Sequence, residues 1–148
     1  MSDNKCYYKM TEARLFAYND LKAKMENDLL DLQDMLKEGP ASKSRDILYR
    51  SVNGGVRLSP DEIQQIKIDN IKRQIEDCRR EISRIDDSVS AFDGDYYALI
   101  IKMRYFERKS DEVIAEILNC DVSTVRRNRK RLITRMAVRL YGIKALAI

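Results

Sequence analysis

The chain has 148 residues, enough for one ordinary domain or two small units. Charged residues make up 35%, Gly and Pro number five and two, and Trp is absent, a balance that favours an all-helical protein. His is also absent, which excludes an imidazole base and imidazole metal ligands.

The net charge of +4 is unevenly spread. Residues 93–148 hold 12 basic and 7 acidic side chains, while residues 1–92 hold 16 and 17. The positive charge therefore sits at one end, as a nucleic-acid footprint would. The opening MSDNKCYYK is polar at once and predicts no secretory leader. No apolar run reaches membrane-spanning length. Cys6, Cys78 and Cys120 are odd in number and widely spaced. They predict free thiols, with Cys78 and Cys120 at apolar helical positions. The expectation is a soluble, reduced, cytoplasmic protein.

Residues 1–10 read as a short lead. Thr11 is a candidate cap for a helix running to about Glu38. Its apolar positions Leu15, Tyr18, Leu21, Met25, Leu29, Leu32 and Leu36 form an amphipathic stripe. Gly39 and Pro40 stop it. A connection over 39–59 follows, in which Asn53-Gly54 is a hairpin signal, with a loop as the alternative. Gly54-Gly55 lacks the Lys and helix of a phosphate-binding loop.

Ser59, Pro60 and Glu62 make a capping box with Pro at the first helical position. The helix they start runs to about Ser90. Ile68, Ile71, Ile75, Cys78, Ile82, Ile85 and Val89 alternate by three and four, a heptad seam. That seam is the candidate oligomerisation surface. Its partner is either residues 12–38 folded back or the same helix of a second chain. Asp86-Asp87 and Asp93 with Asp95 are paired acids at a helix end and a turn, where capping and solvation explain them. No residue pattern suggests a catalytic centre, a metal site or a cofactor, and we expect no enzyme.

Phe92-Asp93-Gly94-Asp95 marks a boundary, dividing the chain into a helical coiled-coil region, 1–92, and a second domain, 93–148. A helix from Tyr96 to about Glu107 carries apolar Tyr96, Leu99, Ile100, Met103 and Phe106. Two more follow near 111–118 and 122–140. Ala115, Asn119 and Val125 have helix-turn-helix spacing. Ala115 permits close approach, Asn119 suits a left-handed turn, and Val125 anchors the second helix. Asp121 is a candidate cap. The core continues through Leu132, Met136 and Leu140 to a stop at Gly142, and the tail IKALAI is apolar. From Val122 to Lys144 there are eight Lys or Arg and no acid.

That last helix carries the candidate DNA-binding residues. Ser123, Thr124, Arg126 and Arg127 face outward in its first turns, where base edges are read. Lys130, Arg131 and Arg135 come later and suit phosphates. Asn128 and Arg129 are polar where an inward side chain is due.

The stretch from Ile100 to Arg139 resembles the −35-reading domain, region four, of bacterial sigma factors. The resembling residues are Met103-Arg104-Tyr105-Phe106-Glu107, Ile114-Ala115-Glu116-Ile117-Leu118 and Ser123-Thr124-Val125. With its helical N-terminal part, the chain also resembles the ArpU/RinA-type phage transcriptional regulators. The likeness covers about the last third of the chain. By matched position it implies DNA contact by Val122, Ser123, Thr124, Arg126 and Arg127. Asn119 stands where Gly is usual, and Val122-Ser123 replaces a charged pair common in sigma factors, so a −35 element is not the implied target.

The resulting expectation is an all-α protein: a long N-terminal helical hairpin or coiled coil followed by a C-terminal helix-turn-helix. Its expected role is sequence-specific DNA-binding transcription regulation of phage or prophage type in a bacterial host. Expected partners are double-stranded DNA, a second copy of the chain and, by the resemblance, RNA polymerase, with no membrane. The alternatives are a small-terminase-like DNA-packaging subunit and a coiled-coil interaction protein with a solvated basic face.

Overall fold

The computed structural model describes residues 2–39 and 57–146, and all regular structure among them is helical. Six α-helices are present in that range: α1 Ser2–Phe16, α2 Tyr18–Glu38, α3 Pro60–Ser90, α4 Leu99–Ile101, α5 Asp111–Leu118 and α6 Val122–Tyr141. A π-helical turn, Lys102–Phe106, extends α4, and a 3₁₀ turn, Gly142–Ala145, follows α6. The hairpin expected at Asn53-Gly54 lies outside the described residues. No helix among them is long and apolar enough to cross a membrane.

The N-terminal lead is helix. α1 begins at Ser2, and Thr11 lies inside it, fully buried, rather than capping a later start. Its Oγ1 donates to the Tyr7 carbonyl at 2.8 Å, the usual way a mid-helix threonine satisfies its hydroxyl. The single helix expected from 11 to 38 is divided at Ala17. The division is slight: the Ala17 amide reaches the Ala13 carbonyl at 3.0 Å, and the Leu21 amide reaches that of Ala17 at 2.9 Å. Gly39 ends α2 at φ +69°, a left-handed conformation that favours glycine.

α3 forms for the reasons its sequence advertises. Ser59 Oγ accepts from the Glu62 amide at 3.2 Å, Pro60 opens the helix, and it runs to Ser90.

The chain divides into two compact units, Lys22–Arg80 and Met1–Leu21 with Glu81–Ile148. This differs from a boundary near residue 92. In the Lys22–Arg80 unit, Gln64 Nε2 donates to the Met35 carbonyl at 2.8 Å and Lys24 Nζ reaches Gln74 Oε1 at 3.5 Å. These pairings run in opposite directions along α2 and α3. Of the seam, Ile68 is buried here, and Ile71, Ile75 and Cys78 are half-buried. On α2, Leu29 and Leu36 are exposed, so the lower part of its stripe is uncovered. Asp28 is buried, with one oxygen bonded to Lys24 Nζ at 2.6 Å and the other without a partner among the described residues.

The other unit holds α1, the first residues of α2, the last turns of α3 and everything beyond. Its core includes Leu15, Ile85, Ile100, Ile101, Tyr105, Ile114, Val125, Leu132, Ile133 and Met136, all essentially inaccessible. Ile82, Ile85 and Val89 of the seam are buried here, within the single chain. Arg14 Nε donates to Glu81 Oε1 at 2.8 Å and Tyr18 Oη to Asp86 Oδ1 at 2.6 Å, joining both N-terminal helices to α3.

The helix expected from Tyr96 differs in start and phase. Tyr96 and Tyr97 are in a turn, and Tyr96 and Leu99 are exposed. The buried positions are Ile100, Ile101, Met103 and Tyr105. A π turn follows and shifts the phase beyond Lys102: the Glu107 amide bonds to the Lys102 carbonyl five residues back, at 3.0 Å. The widened turn has consecutive rings covered, with Tyr105 edge-on to Phe16 at 4.8 Å and Phe106 stacked on Tyr18 at 4.3 Å.

Candidate nucleic-acid interface

α5, the turn after it and α6 are built by local sequence. Ser110 is extended and caps α5, its Oγ accepting from the Val113 amide at 3.3 Å. Asn119 is left-handed, at φ 51° and ψ 49°. The Cys120 amide then reaches back to the Ala115 carbonyl at 3.0 Å. Asp121 takes an extended N-cap backbone, but its side chain makes no cap hydrogen bond. Its carbonyl accepts from the Thr124 and Val125 amides, and its exposed carboxylate acts only as a charge at the helix N-terminus.

Ile100, Met103, Ile114, Ala115 and Val125 form one buried cluster, which fixes α6 against α5. Val122, of the implied DNA-contact set, is half-buried and packs against that cluster. Cys120 packs there too, and all three cysteines are free.

Six of the seven basic side chains of α6 fall into two groups; the seventh, Arg139, is exposed in the last turn. Four are engaged within the chain. Arg126 is 60% exposed and lies 3.4 Å from Asp111 and 3.6 Å from Glu112. Arg129 is turned inward to Asp111 at 2.8 Å. Arg131 grips Asp95 through both nitrogens, at 2.8 and 3.1 Å, and also reaches Asn128 Oδ1. Arg135 lies over the Phe92 ring, 4.9 Å from its centroid. Asn128 is buried and donates to the Thr124 carbonyl at 2.9 Å, which accounts for a polar residue at an inward position.

The second group is Arg127 and Lys130. Both are exposed, and neither makes an ion pair or side-chain hydrogen bond among the described residues. With exposed Ser123 and half-buried Thr134 they are spaced four, three and four residues apart, one stripe along α6. Thr124 is half-buried beside it.

Sequence reasoning missed α1. Lys5, Tyr8, Lys9 and Glu12 from α1, with Lys130 and Thr134 from α6, line a cleft of about 560 Å³. The signal was present in the i, i+4 pair Lys5 and Lys9, but it needed a helix there. Titration reflects the same packing. Burial, reinforced by the Glu12 carboxylate, pushes the Tyr8 phenol above its ordinary value. Burial and a hydrogen bond to Glu12 push Tyr105 well above it. The Arg131 hydrogen bonds, helped by the Tyr97 amide, hold Asp95 below the usual carboxylate range.

Among the described residues no group of three His, Cys, Asp or Glu side chains could hold a metal ion. In comparison with known proteins, no family model, no curated protein and no solved structure matches the chain.

Proposed function

We propose that this protein is a sequence-specific DNA-binding transcriptional regulator of phage type. In this reading α5 and α6 are a helix-turn-helix following an N-terminal helical hairpin, and α6 enters the major groove. One observation carries it. Arg127 and Lys130 lie exposed and unpaired on the side of α6 away from the Ala115–Val125 cluster, directly after a left-handed turn. A solvated basic helix has no need of such a turn or of arginines held in place by Asp95 and Phe92.

The roles follow from position. Ser123 and Arg127 read base edges, with Arg127 suited to bidentate contact with guanine. Lys130 neutralises phosphate. Arg126 joins them by leaving its loose pairs with Asp111 and Glu112, since exposed ion pairs are worth only about 0–1 kcal/mol. Arg131 and Arg135 stiffen the far part of the surface. The likeness to sigma region four and to ArpU/RinA-type regulators supports the same reading, in a bacterial host with RNA polymerase as a further partner. Self-association falls to the half-buried Ile71, Ile75 and Cys78 and to the exposed Leu29 and Leu36.

The test is selection of bound duplexes from a random library near physiological salt, with molar mass by light scattering on the same sample. An enriched motif is expected, its symmetry matching the mass. Binding without enrichment, sensitive only to salt, would overturn the sequence-specific role.

A further inference from the structure

We propose that the cleft between α1 and α6 is a second DNA-contacting surface, which takes backbone phosphates beside the groove that α6 enters. The inference rests on the DNA-binding reading and extends it to a helix which that reading does not use.

Lys5 and Lys9 lie one turn apart on α1, and Lys130 lies opposite on α6. All three are exposed, and none has an ion-pair partner among the described residues. Three lysines against one carboxylate give the lining a surplus of positive charge, which an anion offsets. The one carboxylate in the lining, Glu12, is already committed to the Tyr105 hydroxyl at 2.7 Å. Tyr8, half-buried in the lining and next to Arg129, stays protonated because burial raises its pKa. Ala137 and Ala145 form the floor, and their small side chains leave the volume open.

Lys130 belongs both to this cleft and to the exposed stripe of α6. The cationic surface is therefore continuous from Arg127 through Lys130 to Lys9 and Lys5. A duplex laid along α6 presents a row of phosphates, and lysines are compact charges suited to them without regard to base sequence.

The experiment measures affinity for one duplex by fluorescence anisotropy against salt. It compares the intact protein, Lys5→Ala/Lys9→Ala and Arg127→Ala, with hydroxyl-radical footprints of each. Two lost phosphate contacts lower the salt slope by about 1.8 and weaken binding up to about 60-fold at 0.1 M salt. The double variant should also lose protection at the flanks of the footprint. Both lysines are exposed, so circular dichroism should be unchanged. An unchanged slope in the double variant, with Arg127→Ala weakened, would overturn the cleft proposal and leave the DNA reading standing. Weaker binding with an unchanged footprint would overturn it as a bulk charge effect. Inorganic phosphate that binds the cleft at millimolar concentration without displacing DNA would assign it to a free phosphorylated compound instead. No binding of duplex by the intact protein would overturn both readings.

Discussion

The Tyr105 hydroxyl donates to Glu12 Oε2 at 2.7 Å across 93 positions of sequence. Tyr105 is 1% exposed, and Glu12 is half-buried, so the bond is partly shielded from water. It fastens α1 to the π turn that precedes α5, which makes the first helix a part of the unit that carries the basic surface. Tyr105→Phe should cost about 1–2 kcal/mol in urea denaturation at neutral pH, the loss of a bond plus the carboxylate left without its donor.

The alkaline limb of stability tests the same bond differently. The Tyr105 pKa is raised in the fold, while the unfolded chain ionises near its ordinary value of 10.0. Above that pH the unfolded state sheds a proton the folded state keeps, so stability falls as pH rises. Tyr8 contributes with the same sign. Denaturation midpoints measured from pH 8 to 11 should decline more gently in Tyr105→Phe than in the parent protein.

Arg127 and Lys130 should separate on DNA. Arg127→Ala should lose about 1–3 kcal/mol at one base pair and relax preference there. Lys130→Ala should weaken all sequences alike and reduce the salt slope by about 0.9. Binding to a panel of single-base variants checks both, and identical profiles for the two variants would refute the division of roles.

Asp95→Asn tests what the internal ion pairs do. The pair with Arg131 is partly exposed, so the cost to folding should be about 1 kcal/mol or less. Because the Asp95 pKa is depressed, its contribution is present above the ordinary carboxylate range and lost as pH falls through the folded value. The variant should lack that part of the acid limb. It also frees Arg131 for phosphate, and the salt slope on DNA should steepen by about 0.9.

The turn gives a contrast between two substitutions at one site. Asn119 sits at φ 51°. Asn119→Gly should be neutral or stabilising by up to about 1 kcal/mol, since glycine adopts this region freely. Asn119→Val should cost about 1–2 kcal/mol or more, because a β-branched residue meets its steric penalty there. Thermal unfolding of the two variants should move in opposite directions or differ clearly in size.

The heptad seam divides in the same manner. Ile85 is 0% exposed within one chain, and Ile85→Ala should destabilise by about 2–5 kcal/mol without altering molar mass. Ile75 is half-buried, and Ile75→Asp should instead shift any self-association measured by light scattering. A mass unaffected by Ile75→Asp would remove that stretch from the self-association surface.

What sequence reveals here depends on range. The start of α3 was legible because Ser59, Pro60 and Glu62 act on one another within four residues. The turn at Asn119 and the inward Ala115 and Val125 were legible because spacing alone decides them. Thr11 illustrates the limit: a threonine that caps a helix and one that bonds back to residue i−4 look alike until the preceding turn is seen. The π turn has no sequence signature, and the burial of Tyr105 within it is not visible in the apolar spacing. The bond from Arg131 to Asp95, 36 residues away, cannot be read from local pattern.

The unit that carries the basic surface is assembled from two stretches separated by the 59 residues Lys22–Arg80. During translation α1 therefore emerges well before anything that covers it. At about 5–20 residues per second, synthesis of the intervening stretch alone takes about 3–12 s. Through that wait Leu15 and Tyr18, buried in the finished protein, face solvent. The nascent chain therefore has an interval in which α1 lacks the residues that cover it in the finished protein and is open to chaperones or to wrong partners.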